Sequence, residues 1–385
     1  MTKRLTFNNS NKSQQYASHD FFRYFGKLPP VVVQHILKKC IPENGIFLDL
    51  MCGSGTSLVE CKLMGIESVG VDVNPLSILV SKVKTTPIDP SSLASMADAL
   101  LLAIKKDADR VPLEGDVFGA PVEYLNEERP KFRNKAHWFT PYNEAMLIIL
   151  RHHVGLIDNE DARDFFQVAF FSVIRRASRA SARIGRIFLD VDAKPEDVVA
   201  LFTRRIETMI SGMAEFLLGA CDSSVRLMEV DARNTGLQDR SFDFILNHPP
   251  YFALYKYSSD VLRFELEWGN FARSPIARQE IREGFKTTEL SKFNEYADDM
   301  QAVFQEAHRL LKPGRMLCVV VNDSTLKDVK LPVVDTLVDR AKTIGFSLSE
   351  INARDVMYSQ ARYHRSANPS IQTKEDKLIF FEKPM

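Results

Sequence analysis

An α/β fold, with a mostly parallel sheet and a large helical insertion, is predicted for this 385-residue chain by three observations. Strand 46–50, helix 56–65, strand 68–72 and helix 75–84 alternate without interruption, and right-handed crossovers lay such strands side by side in parallel. From about 91 to 220 the apolar residues recur at helical spacing with no alternating run of strand type. Strand signals resume at 225–230 and 242–246, so the sheet is completed only after the insertion.

The elements can be justified in chain order. Residues 1–18 are polar, rich in Asn, Ser, Lys and Gln, and are expected to be a flexible N-terminus. Phe21, Phe22, Tyr24 and Phe25 then precede a proline-started helix, 31–40. They serve either as a hydrophobic staple for that helix or, the reading preferred, as a lid over a pocket. The segments 19–90 and 221–385 form the core domain, and 91–220 the insertion. After 246 come an amphipathic helix, 296–311, stopped by Lys312-Pro313-Gly314, a buried strand, 316–321, a helix, 331–344, and a closing strand pair, 346–352 and 378–382.

Composition narrows the classes. The chain is 45% hydrophobic and 26% charged, as in globular proteins, and its 50 basic and 50 acidic residues leave no net charge, so a nucleic-acid partner must be sought in local clusters. Five scattered cysteines, Cys40, Cys52, Cys61, Cys221 and Cys318, contain no C-x-x-C pair. That disfavours a disulfide framework and a zinc site, so no metal is expected. No apolar run reaches the ~18 residues a membrane span needs, and the start lacks an apolar signal core. A cytoplasmic protein with no membrane contact is expected.

The loop after the first strand, Asp49-Leu50-Met51-Cys52-Gly53-Ser54-Gly55-Thr56, ends an apolar run in a glycine turn that opens a helix. Gly53 and Gly55 allow positive φ and close approach of a ligand. Asp72, at the end of the second strand, is placed to accept from ribose hydroxyls. The spacing and Lys-Ser/Thr ending of a phosphate-binding P-loop are absent, which argues for an adenosine ligand other than ATP.

Within the insertion, residues 175–186 hold five arginines and no acid. A continued helix would put Arg175, Arg179 and Arg183 on one face, against phosphates, and Phe166, Phe170, Val173, Ile174 and Ala177 on another, against the core. Arg176 and Arg186 extend the basic patch, and Lys256, between Tyr255 and Tyr257, is a further candidate for a nucleic-acid groove. The bland reading is a solvated basic face.

A second loop closes strand 242–246: Asn247-His248-Pro249-Pro250-Tyr251. Two prolines fix φ and remove two donors, freeing nearby carbonyls as acceptors, and Tyr251 offers a flat face for stacking. Such a clamp suits an exocyclic amine on a flat ring.

Together the two loops resemble those of the S-adenosylmethionine-dependent DNA amino-methyltransferases, which modify cytosine N4 or adenine N6. The resemblance implies a Rossmann-like methyltransferase sheet and S-adenosyl-L-methionine as cofactor. It assigns Asp49, Gly53, Gly55, Thr56 and Asp72 to cofactor binding, with Phe25 and Lys27 in the closing segment and Asp231 beside the adenine. It further implies a duplex DNA substrate with a flipped target base, and a cognate restriction system. Two departures stand out. Leu50-Met51 replaces the usual Pro-Phe, and His248 occupies the position of Asp, Asn or Ser ahead of the prolines. Asn247 is therefore carried as a second candidate acceptor and as a cofactor contact. Cytosine N4 is favoured over adenine N6. The alternatives are an RNA guanine-N2 methyltransferase and an inactive protein that binds cofactor or nucleic acid.

Overall fold

The computed structural model describes residues 3–7, 14–181, 187–190, 192, 194, 196–252, 257–282, 291–326, 329–356 and 375–385. The strands are β1 (Lys3–Leu5), β2 (Phe47–Asp49), β3 (Ser68–Asp72), β4 (Val225–Glu229), β5 (Phe242–Asn247), β6 (Leu311–Val321), β7 (Ser324–Leu326), β8 (Val329–Leu331), β9 (Ser347–Asp355) and β10 (Glu375–Glu382). All but the β7/β8 hairpin join one sheet, in the order β1-β9-β10-β6-β5-β2-β3-β4. From β6 to β4 every pairing is parallel, and β10 runs antiparallel between β6 and β9. This is a Rossmann-like, mostly parallel sheet, with the strand order reversing between β2 and β5, where the crevice for a ligand opens.

The helices before the insertion are α1 (Pro30–Cys40), α2 (Thr56–Leu63) and α3 (Pro75–Thr85). The insertion supplies α4 (Pro90–Ala108), α5 (Tyr124–Glu127), α6 (Lys135–Trp138), α7 (Pro141–Gly155), α8 (Glu160–Ile174) and α9 (Val198–Gly219). After β5 come α10 (Arg263–Trp268), α11 (Arg273–Gln279), α12 (Ser291–Leu310) and α13 (Val333–Ile344). Among the described residues no helix is long and apolar enough to cross a membrane.

Strand alternation sorts the core into two layers. Phe47, Phe244, Leu246, Cys318, Val320 and Phe380 pack with α1 and α2, while Leu48, Ile245, Val319, Val321 and Phe381 pack with α12 and α13. A third cluster belongs to the insertion and includes Phe21, Phe22 and Phe25 of the aromatic segment together with Val80 and Val83 of α3. The insertion therefore shares its core with the segment that borders the crevice. Helix α9 approaches that segment closely, since a Cβ added at Gly212 would lie 2.5 Å from the Ala17 carbonyl, and Arg205 pairs with Asp20 at 3.1 Å.

Two predictions differ. Residues 1–18, expected to be flexible, supply β1, which pairs in parallel with β9, Lys3 opposite Asn352, and Ala17 and Ser18 are buried. Helix α8 stops at Ile174, with Arg175 as its C-cap, so no helical stripe joins Arg175 to Arg179. The reason is partly local and partly tertiary: Ser178 Oγ donates to the Arg175 carbonyl at 2.7 Å and the Ala180 amide donates to Ser178 Oγ at 3.0 Å, while the Arg179 amide donates to the Trp138 carbonyl of α6 at 2.7 Å. Serine here competes with helical hydrogen bonding. Arg183 and Arg186 lie outside the described residues, as do Tyr255 and Lys256.

Candidate functional site

The carboxyl ends of β2, β3 and β5 face one cavity of about 520 Å³, and its wall includes Asp49, Gly53, Thr56, Asp72, Asp231 and the His248–Tyr251 loop. Two motifs far apart in sequence thus meet because β2 pairs with β5, Asp49 opposite Leu246.

The glycine turn is held from behind. The Gly53 amide donates to Asp72 Oδ2 at 2.9 Å, and the other oxygen of Asp72 accepts from the Asn74 amide at 2.9 Å. Asp49 accepts from the Met51 amide at 3.1 Å and from the Ser57 hydroxyl. Burial pushes both carboxyls up to about 6, against these hydrogen bonds. Ser54 Oγ, Thr56 Oγ1 and Asn74 Nδ2, all on residues of the cavity wall, are buried and have no partner among the described residues. Buried polar atoms of this kind need partners, which a polar ligand in the cavity could supply.

The two glycines part company. Both have positive φ, 52° at Gly53 and 72° at Gly55. At Gly53 an added Cβ would meet the Tyr24 ring at 3.3 Å, in the wall of the cavity. At Gly55 it would meet Ser81 of α3, 2.7 Å from Oγ and 3.1 Å from Cα. Gly55 is absent from the cavity wall. The expectation that it leaves room for a ligand is corrected: its missing side chain lets α2 start against α3.

The aromatic segment lines the opposite wall. Tyr24 stacks on Tyr257 at 5.6 Å between ring centroids, and Tyr257 donates to the Phe25 carbonyl at 3.0 Å. Lys27, also on the wall, donates to the His19 carbonyl at 3.0 Å. The guanidiniums of Arg23 and Arg175 lie over the Phe25 ring, at 4.8 and 5.4 Å. Arg175 is thus a buried cation–π partner of this segment, with Glu265 nearby, and is not turned to solvent as the basic-face reading required. Arg176 is exposed and forms a two-pronged pair with Glu196, at 2.7 and 2.6 Å. Arg179 is also exposed.

Asp231 sits at the rim, where Arg233 holds it through backbone and guanidinium at 2.6–3.1 Å. Arg233 reaches on to Asp299 at 2.8 Å.

In the clamp, alternation places the two candidate acceptors differently. Leu246 and His248 line the cavity and Asn247 does not. Asn247 is fully buried, with Oδ1 and Nδ2 both unpartnered among the described residues. Asn247 is the last residue of β5 and is not on the cavity wall, so His248 is the one of the two candidate acceptors that lines it. His248 Nε2 lies 3.2 Å from Tyr251 Oη. Packing around the imidazole pushes it down to about 4, with Asp376 opposing and Arg354 adding to the shift. Arg354 and Asp376, from β9 and β10, complete this end of the wall. Sequence reading missed them, because nothing in their local sequence distinguishes a cavity-facing pair from an ordinary strand pair.

The comparisons with known proteins bear on the first loop, Asp49–Thr56. Residues 2–81 match the family model described as DNA methylase. The Type II methyltransferase M.MvaI of Kocuria varians is 26% identical over 270 residues, 65% of this chain and 58% of that protein. The Type II methyltransferase M.MjaII of Methanocaldococcus jannaschii is 37% identical over 122 residues, 32% of this chain and 23% of that protein. The chain therefore spans less than two thirds of the length of either relative. Among solved structures, a SAM-dependent methyltransferase from Methanosarcina mazei aligns over 91% of this chain and 97% of its own, at 10% identity and a TM-score of 0.36.

Proposed function

We propose that this chain, a relative of the DNA amino-methyltransferases, methylates an exocyclic amine of a base in DNA, with S-adenosyl-L-methionine as the methyl donor. One observation carries the reading: a single cavity joins the glycine turn and its ribose-type acceptor, Asp72, to the Pro249-Pro250-Tyr251 clamp.

The residues fit the cofactor. Asp72 would take the ribose hydroxyls, Asp231 the adenine edge, and the unpartnered Ser54, Thr56 and Asn74 the remaining polar atoms. When bound, the cofactor supplies an electrophilic methyl group on a sulfonium. Tyr251 would stack on a base flipped out of the duplex. His248, neutral at physiological pH, would accept an N–H bond of the amine, localising the nitrogen lone pair for attack. The aromatic wall of Tyr24 and Phe25 would exclude water from the transfer. Holding the reactants in line supplies much of the rate, and no covalent enzyme intermediate is required.

The test pairs cofactor titration with label transfer. The wild-type chain should bind S-adenosylmethionine and label duplex DNA. Asp72→Ala should weaken binding about 10- to 100-fold, the value of hydrogen bonds to a charged group. Nucleoside analysis is expected to give N4-methylcytosine, while N6-methyladenine would change the base and keep the chemistry. Label appearing in RNA alone, or in neither nucleic acid despite cofactor binding, would overturn the reading.

DNA contact is expected on the exposed side of 176–179. Arg176→Gln with Arg179→Gln should flatten the slope of log affinity against log salt by up to about 1.8, as two phosphate contacts are lost. Arg175→Gln should leave that slope unchanged and loosen the Phe25 segment. An unaltered slope in the double variant would return these two arginines to a solvated surface role.

A further inference from the structure

Strand order divides the cavity wall on either side of the clamp. Asp49 and Asp72 end β2 and β3, and Asp231 follows β4, so the residues fitted to the cofactor all lie on one side of β5. On the other side the wall is made by Asn322 after β6, Asp376 near the start of β10 and Arg354 near the end of β9. A ring stacked on Tyr251 with its amine towards the cofactor has its remaining edge on this second side.

Asp376 and Arg354 are register partners across the β9/β10 ladder, and their side chains pair. They are only 3% and 6% exposed. The pair uses Arg354 Nη2, while Nε is buried with no partner among the described residues. Buried donors of this kind need acceptors. Both charges bear on the His248 imidazole, in keeping with a place beside the clamp. A guanidinium only donates, and does so from a planar fork, so what it can read is a pair of acceptors.

The bases differ on that edge. Next to its amine, cytosine carries two acceptors, N3 and O2. Adenine carries one, N1, and then a C–H group. Guanine carries the N1–H donor next to its N2 amine. With His248 accepting from the amine, a donor fork on the adjoining wall complements cytosine in full, adenine in half and guanine not at all.

We propose that Arg354, held by Asp376, reads the N3 and O2 edge of the flipped base and makes cytosine the target. Arg354 is the specificity-determining residue, and Asp376 is a positioning residue that fixes the fork from the neighbouring strand. The proposal rests on the methyltransferase reading, and the experiment separates the two.

Single-turnover transfer would be measured on a duplex carrying a site located by methylation-aware sequencing. Its target cytosine is left intact or replaced by 3-deazacytosine, which keeps the amine and O2 but has C–H in place of N3. The observable is the ratio of the two rates, compared between the wild-type chain and variants, so that any intrinsic change in the amine cancels. That ratio should be about 10- to 100-fold larger in the wild type than in Arg354→Met with Asp376→Leu, an apolar replacement of the whole pair. Asp376→Asn, whose amide oxygen still accepts from the fork, should keep the wild-type ratio, and Asp376→Leu alone should lower it. S-adenosylmethionine affinity, set on the far side of β5, should be unchanged in all three. The same ratio in the wild type and the double variant, or N6-methyladenine as the sole product of the wild-type chain, would overturn the proposal while leaving methyl transfer to DNA intact. Label in no DNA at all would refute the methyltransferase reading, and the proposal with it.

Discussion

Replacing His248 with alanine should slow single-turnover methyl transfer by about 100-fold or more, the lower range for loss of a positioned proton acceptor, with S-adenosylmethionine affinity unchanged. His248→Asn should retain most of the rate, since an amide oxygen restores an acceptor. The pH profile separates the two. Transfer needs the neutral imidazole, so the wild-type rate should hold as pH falls and drop only near the depressed value of about 4. The ordinary histidine value of about 6.5, expected from sequence alone, is displaced by the packing around the ring. His248→Asn should lack this limb.

The rate is the right observable, because stability carries opposing terms over the same range. His248 is neutral when folded and protonates more readily when unfolded, so its contribution to stability is lost as pH falls from about 6.5 towards 4. Asp49 and Asp72 are raised to about 6 when folded, so acidification from above 6 towards their unfolded value of 3.8 stabilises the fold. Melting curves would show the difference of these effects, while single turnovers at saturating cofactor report His248. A limb that stays in His248→Asn, with Asn247→Ala inactive, would move the acceptor to Asn247.

Gly55→Val should destabilise the protein by about 2–6 kcal/mol, combining roughly 1–3 for a branched residue at positive φ with roughly 1–3 for overpacking against α3. The overlap is with the Ser81 backbone as well as its hydroxyl, so a side-chain rotation cannot relieve it. Gly53→Ala should behave differently. Its new methyl group meets a tyrosine ring that can shift, so stability should fall by only about 1–2 kcal/mol while cofactor affinity drops. Denaturant midpoints and cofactor titrations on both variants test this. A Gly55→Val chain of native stability that fails to bind cofactor would restore the ligand-facing role first expected of it.

The contrast between the glycines shows what sequence could reveal. A turn needing positive φ is legible in Gly53-Ser54-Gly55 because backbone sterics are local. Which glycine faces the ligand depends on where α3 lies, and that is tertiary. The same division holds for the clamp. Two prolines after a strand mark a rigid loop, and strand alternation puts His248 rather than Asn247 on the wall, but the Arg354–Asp376 pair on the same wall arrives from strands much later in the chain. The arginine run misled because composition gave its charge but not its course: serine hydrogen bonds end α8 at Ile174, and Arg175 turns inward onto Phe25.

The pairing of β2 with β5 also bears on how the molecule is made. Phe47 waits for Phe244, which is translated roughly two hundred residues later, a delay of about 10–40 s at ~5–20 residues per second. During that interval β2 has a vacant edge in what will become the middle of the sheet, and the insertion has been synthesised with its partner strand still missing. An unpaired apolar edge is a template for strands of other chains. Nascent chains arrested before β5 should therefore associate through β2, and expression at lower temperature or with a holdase chaperone should raise the soluble yield more than any change to the surface.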